Sequence, residues 1–183
     1  MNNLINLQHE TDVEKYVQDI SKNISGFILL KNERKILTED ECIVYGEILQ
    51  SSVTKLIKNL DIKNTDVVYD LGSGIGRFCL QVFLQTECKK VSGIELIKSR
   101  HDKAEIINQK VKDDFSSKYV NRELSFINKS FMSSNLMDAT IIYLASTCFN
   151  NEFLNSIFLK ISKIPKLRAL ISLKKFVRDV NDQ

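Results

Sequence analysis

Proline occurs once in this chain, at Pro165, so there is no proline-rich or low-complexity linker and no sign of a domain boundary within its 183 residues. Histidine is nearly absent as well. His9 and His101 stand far apart, which leaves no paired imidazoles for a metal site or a histidine general base. The four cysteines, Cys42, Cys79, Cys88 and Cys148, lack CxxC spacing, and most sit in apolar patterns. Reduced, buried thiols are expected rather than a zinc or disulfide framework. No apolar run is long enough to span a membrane, and "MNNLINLQHETD" has no signal-peptide pattern. An intracellular protein, cytoplasmic or nuclear, with no membrane association and no metal is therefore expected.

Charge is also scarce as a signal. A net charge of +3 permits nucleic-acid or chromatin association without arguing for it. The basic residues near the C-terminus, Lys160, Lys163, Lys166, Arg168, Lys174, Lys175 and Arg178, read first as a solvated helix face and strand end. The remainder is ordinary for a globular domain, with 43% hydrophobic and 27% charged residues.

Periodicity divides the chain into an alternation of helices and strands. Residues 11–24 have helical character. A stronger helix is expected over "LTEDECIVYGEILQSSVTKLIKNL", opened by a capping box of Thr38 and Glu41 and carrying Leu49, Val53, Leu56 and Leu60 on one face. "VVYDL", "KVSGIEL", "ELSFI", "ATIIYLA" and "RALISL" read as five strands. Between them lie helices marked by Ile75 to Leu84, by Ile97, Ala104, Ile107 and Val111, and by Phe149, Phe153, Ile157 and Ile161. Strands separated by helices imply right-handed crossovers. The expected fold is a doubly wound, Rossmann-like α/β domain over residues 38–183, with an N-terminal helical arm over 1–37.

Glycines appear where such a fold binds ligands. "VVYDLGSGIGRF" places Gly72, Gly74 and Gly76 directly after the first strand, beyond its carboxyl end. The spacing is GxGxG rather than the GxGxxG of a dinucleotide site, and Arg77-Phe78 does not supply the Lys-Ser/Thr of a P-loop. Asp70 precedes the loop and would repel a pyrophosphate. A ligand with a cationic amino-acid part suits it better, and S-adenosylmethionine (SAM) is such a ligand. Glu95 closes the second strand, where a carboxylate can accept hydrogen bonds from both ribose hydroxyls.

These residues resemble a known family. "VYGEILQSSVTKLI" followed by "VVYDLGSGIGRFCLQVFLQTECKKVSGIEL" is similar to the disruptor-of-telomeric-silencing family, the protein-lysine methyltransferases that lack a SET domain. The resemblance runs from about Ile43 to Phe176 and implies a SAM-dependent methyltransferase fold. It places Asp70, Gly72, Ser73, Gly74 and Gly76 around the methionine end of SAM, Glu95 and Leu96 by the ribose, and Tyr45 and Glu47 on a segment closing over the cofactor.

Later motifs depart from the family pattern. Ser130 and Phe131 in "NKSFM" replace its Gly-Asp-Phe, so the adenine amino group would meet a hydroxyl, with Phe131 stacking on the purine. "ASTCF" replaces Asn-Asn-Phe-x-Phe, putting Ala145 or Ser146 at the asparagine position and Phe149 at the final aromatic. Little follows "ISLKKF", so a reduced sheet of about five parallel strands is expected, its extra edge covered by the N-terminal helices or a partner.

The resemblance implies a protein N-methyltransferase acting on lysine, with histone or chromatin protein as one substrate. Tyr45, Ser146 and Phe149 would serve as catalytic walls, with Phe131 beside them. Two alternatives are a SAM-binding partner subunit without activity, and a methyltransferase acting on RNA or a small molecule. Oligomeric state is not legible at this level.

Overall fold

The computed structural model describes residues 7–35 and 45–176. The capping box expected at Thr38 and Glu41, Cys42, and the boundary between residues 37 and 38 lie outside them.

Five strands form one sheet in the order β3-β2-β1-β4-β5, every neighbouring pair parallel. They are β1 (Val67–Leu71), β2 (Lys90–Glu95), β3 (Glu123–Asn128), β4 (Ile141–Leu144) and β5 (Ala169–Ser172). β1 is central and buried at every position, Asp70 included, and its mostly apolar run suits a strand covered on both faces. Val68, Val91, Leu124, Ile141 and Tyr143 point to one core, while Val67, Tyr69, Leu71, Ile142 and Leu144 point to the other. That division is the two-residue period of a strand.

The helices α1 (Glu10–Ser21), α2 (Gln50–Leu60), α3 (Arg77–Gln85), α4 (Lys98–Asp114) and α5 (Asn151–Ile161) complete the fold. α3 is buried from Phe78 to Leu84 because α1 and α2 pack on the side that the sheet leaves open. Phe83 is fully buried there, a burial contributing about 1.5–3 kcal/mol. α4 joins the same core through Ala104, Ile107 and Val111. α5 covers the opposite face through Leu154, Ile157 and Ile161, and its N-cap Asn150 accepts from the Phe153 amide at 2.7 Å.

Two expectations change. α2 begins at Gln50, and residues 45–49, expected within the same helix, are neither helix nor strand. Tyr45 and Glu47 instead turn toward the loop after β1, through the contacts described below. Among the described residues the N-terminal helices also cover a face of the sheet rather than pairing along its edge. α1 and α2 lie on α3, and Leu56, Ile57 and Leu60 share the core with Ala169 and Ile171, covering the face above β5. Among the described residues β5 pairs with β4 only. An apolar helix stripe is buried far better on another apolar face than along a strand edge, which offers backbone polar groups.

Candidate functional site

Strand order reverses between β1 and β4, and a cavity of about 310 Å³ opens there at the carboxyl ends of the strands. Its floor is the loop after β1. The Gly72 and Ser73 amides donate to the Ile94 carbonyl at 2.8 and 3.1 Å, pinning the loop to β2. Gly72 holds φ +88°, and a Cβ added there would meet nothing within 4 Å. That open space belongs to the cavity, which Gly72 lines. Gly74, at φ +57°, differs: a Cβ there would lie 2.5 Å from the Tyr45 ring.

Tyr45 therefore lies across the loop. Its hydroxyl donates to Glu47 Oε1 at 2.5 Å, and Glu47 also pairs with Arg77. Phe27 meets the Tyr45 ring edge-on at 4.9 Å between centroids, and the Arg100 guanidinium sits 4.5 Å from the ring centre. Burial foremost, then the Glu47 carboxylate, pushes the Tyr45 phenol far above its ordinary range, so it stays neutral.

Glu95 accepts from the Gly74 amide and the Ile97 amide, each at 2.8 Å. Burial pushes its carboxyl above the usual range, opposed by the Ile97 amide, the Arg100 charge and the Gly74 amide. Each carboxylate oxygen keeps a further lone pair for a ligand. The opposite wall is aromatic: Phe149 and Phe153 meet edge-on at 5.1 Å, and Phe131 lies 6.2 and 6.0 Å from them.

The structure thus gathers Tyr45, Glu47, Gly72, Glu95, Leu96, Ser130, Phe131 and Phe149 around one cavity. Asp70, Ser73, Gly74, Gly76 and Ser146 do not line it. Asp70 points beneath the loop toward the Cys79 thiol, 3.7 Å away; burial first, then the Glu95 charge, pushes it up to about 7. Ser73 faces Gly93, where an added Cβ would meet its Oγ at 2.6 Å. Gly76 backs onto Phe126 and so sets how closely α3 packs on the sheet. Ser146, expected as a catalytic wall, is fully buried; it shares a 2.6 Å hydrogen bond with Ser172 and accepts from the Lys174 amide at 2.9 Å. It lies two residues past β4, does not share Ala145's place in the cavity wall, and ties the ends of β4 and β5 together. Cys79 and Cys88 are free and buried as expected, whereas Cys148 at the cavity wall is disulfide-bonded.

Thr147, whose hydroxyl stands at the strand end beside Ser146, lines the cavity, and so do Arg100, Tyr143 and Phe153, which were not anticipated as site residues. Arg100 had a signal: it falls three residues after Ile97 and four before Ala104, a charge on the buried stripe of α4. Tyr143 had none, since a buried strand tyrosine reads as core. Among the described residues no His, Cys, Asp or Glu cluster could hold a metal ion. No helix there is long and apolar enough to cross a membrane.

A family model described as histone methylation protein DOT1 matches residues 34–182. A histone-lysine N-methyltransferase, H3 lysine-79 specific, of Caenorhabditis elegans is 30% identical over 112 residues, 58% of this chain and 12% of its own length. The Candida albicans protein of the same description is 20% identical over 181 residues, 93% of this chain and 14% of that protein. The chain thus spans about an eighth of the length of these curated relatives. Among solved structures, geranyl diphosphate methyltransferase in complex with GPP and sinefungin shares the fold at a TM-score of 0.54 and 13% identity, covering 89% of this chain and 65% of that one.

Proposed function

This chain belongs to the DOT1 histone methylation family, and from that premise we propose that it transfers a methyl group from SAM to the side-chain nitrogen of a lysine in a protein. The observation that supports this most is the cavity itself. It opens where strand order reverses, over the motif that the family match spans.

The residues present fit SAM. Gly72 leaves the floor open on the cavity side, where any side chain would intrude. Glu95 lines the wall with acceptor capacity left for ribose hydroxyls. Phe131, Phe149 and Phe153, with Leu96 and Ile97, give the apolar surface that a purine needs. Two carboxylates, Glu47 and Glu95, face the cavity against one cation, Arg100, which disfavours a pyrophosphate and suits a cationic ligand. SAM supplies, when bound, a methyl group activated by the attached sulfonium.

The chain's own part is alignment and desolvation. A lysine ε-amine has an ordinary pKa of about 10.4 and must shed its proton before it can attack. Tyr45, Tyr143 and Phe149 offer aromatic surface that strips water from the ammonium and favours the neutral amine. Tyr45 is held in place by Glu47, Phe27 and Arg100. Ser130 caps the short helical turn Phe131–Ser133, accepting from the Met132 amide at 3.3 Å, and so orients Phe131. A histone is the substrate class that the relatives' names suggest, and such a substrate would place the protein in the cytoplasm or nucleus.

One observation favours a second reading, a SAM-binding subunit without activity. Ala145 brings no polar group to the strand end where the family pattern has asparagine, and Ser146 is turned away. A single experiment separates the two. The purified protein is incubated with methyl-tritiated SAM and, in turn, free histones, nucleosomes and total RNA. Protease-sensitive label in protein bands is the expected result. RNase-sensitive label, or none from a protein that binds S-adenosylhomocysteine, would refute lysine methylation as its own activity.

A further inference from the structure

Arg100 is 6% exposed and lines the cavity; its charge acts on the Glu95 and Glu33 carboxylates, yet it forms no salt bridge among the described residues. Its Nε donates to the Gly26 carbonyl at 2.9 Å, and its guanidinium stacks against Tyr45, so the group is held away from solvent. Its Nη2 is buried and meets no hydrogen-bond partner. The nearby carboxylates spend their hydrogen bonds on other groups. Glu95 takes the Gly74 and Ile97 amides, Glu47 takes Tyr45 and Arg77, and Glu33 takes the Leu30 amide and both the amide and hydroxyl of Ser99. A buried guanidinium with an idle donor is an arrangement that folding alone does not favour. It is stable where a ligand brings an acceptor to that donor.

We propose that Arg100 recognises the carboxylate of the cofactor's amino-acid part. This rests on the SAM reading above and extends it to one residue and one ligand group. SAM carries a single anionic group, that carboxylate, and Arg100 is the only cation among the described residues lining the cavity. A planar guanidinium can meet a carboxylate through two parallel hydrogen bonds, a geometry that lysine lacks. Tyr45 links the two sides: its ring contacts Arg100 on one side and overlies Gly74 of the loop on the other. Arg77 is not available for the same task. It is committed to Glu47 and to the Ser21 carbonyl, and it does not line the cavity.

The test is calorimetric and needs no turnover. S-adenosylhomocysteine and its decarboxylated counterpart, which keeps the amine, are titrated into wild type, Arg100→Gln and Arg100→Lys, with circular dichroism as the folding control. Wild type is expected to bind the carboxylate-bearing ligand at least tenfold more tightly than the decarboxylated one. Arg100→Gln is expected to bind both with the same, weaker affinity, and Arg100→Lys to keep only part of the difference. Should Arg100→Gln fail to fold, the lysine variant carries the comparison, and an undiminished preference there overturns the proposal. Equal binding of the two ligands by wild type, or an intact tenfold preference in Arg100→Gln, also overturns it. Binding of neither ligand by wild type overturns the SAM reading itself, and the assignment of Arg100 falls with it.

Discussion

Replacing Gly72 with alanine separates the cofactor site from the fold more cleanly than any other change in the loop. The added methyl group meets no protein atom within 4 Å, so its effect on the protein alone is conformational. At φ +88° an L-residue is strained by about 1–2 kcal/mol. For a chain of this size that lowers Tm by roughly 2–8 °C. The effect on the ligand is separate, because the methyl enters the cavity where backbone and ligand must approach closely. At a hundred times the wild-type Kd, S-adenosylhomocysteine should stabilise wild type by about 2.7 kcal/mol, or roughly 5–11 °C. A hundredfold loss of affinity would leave about 0.4 kcal/mol, a rise of only about 1–2 °C. The assay is thermal melting of both proteins with and without ligand. A Gly72→Ala protein that melts lower on its own yet keeps the full ligand-induced rise would refute the placement of the cofactor over Gly72. Gly74→Ala is the contrasting control, since its Cβ strikes the Tyr45 ring and should disturb the protein before any ligand is added.

Two predictions concern pH. Burial alone would raise the Asp66 carboxyl, but hydrogen bonds from Arg168, the Lys63 amide and Thr140 outweigh it and hold the group at about 2. Its contribution is therefore complete above about pH 4 and is lost as pH falls toward 2, a change of roughly 2 kcal/mol. Urea unfolding across that window should show the loss in wild type and little of it in Asp66→Asn; matching slopes would count against the pairing. Asp70 has the opposite sign. With its carboxyl pushed up to about 7, the folded state resists ionisation, so stability declines from about pH 4 to 7 and then levels, by on the order of 4 kcal/mol. Asp70→Asn should be the more stable protein at pH 8 and close to wild type at pH 4. A constant difference between the two at all pH values would contradict the burial of an ionisable Asp70 beneath the loop.

Much of the fold was legible because its signals are local. The mostly apolar run of Val67–Leu71 suits a strand covered on both faces, and the alternation of strands and helices set the crossovers that make the sheet parallel. That Gly72 and Glu95 would stand at one cavity was legible for the same reason, each lying at the carboxyl end of a strand. Other features depended on distance. Helical periodicity showed that α2 had an apolar stripe but not which surface would receive it, and both α1 and α2 pack on α3. Ser146 stood at a plausible motif position, yet in the turn after β4 it bonds to Ser172 while Ala145 lines the cavity. Arg100 marked itself as a charge on a buried stripe, while its stacking on Tyr45, more than fifty residues earlier, arose only from packing. Sequence period determines which side of an element is apolar and where the backbone can turn. Which groups from separate elements meet was decided by the tertiary structure, since that depends on how their surfaces fit in three dimensions.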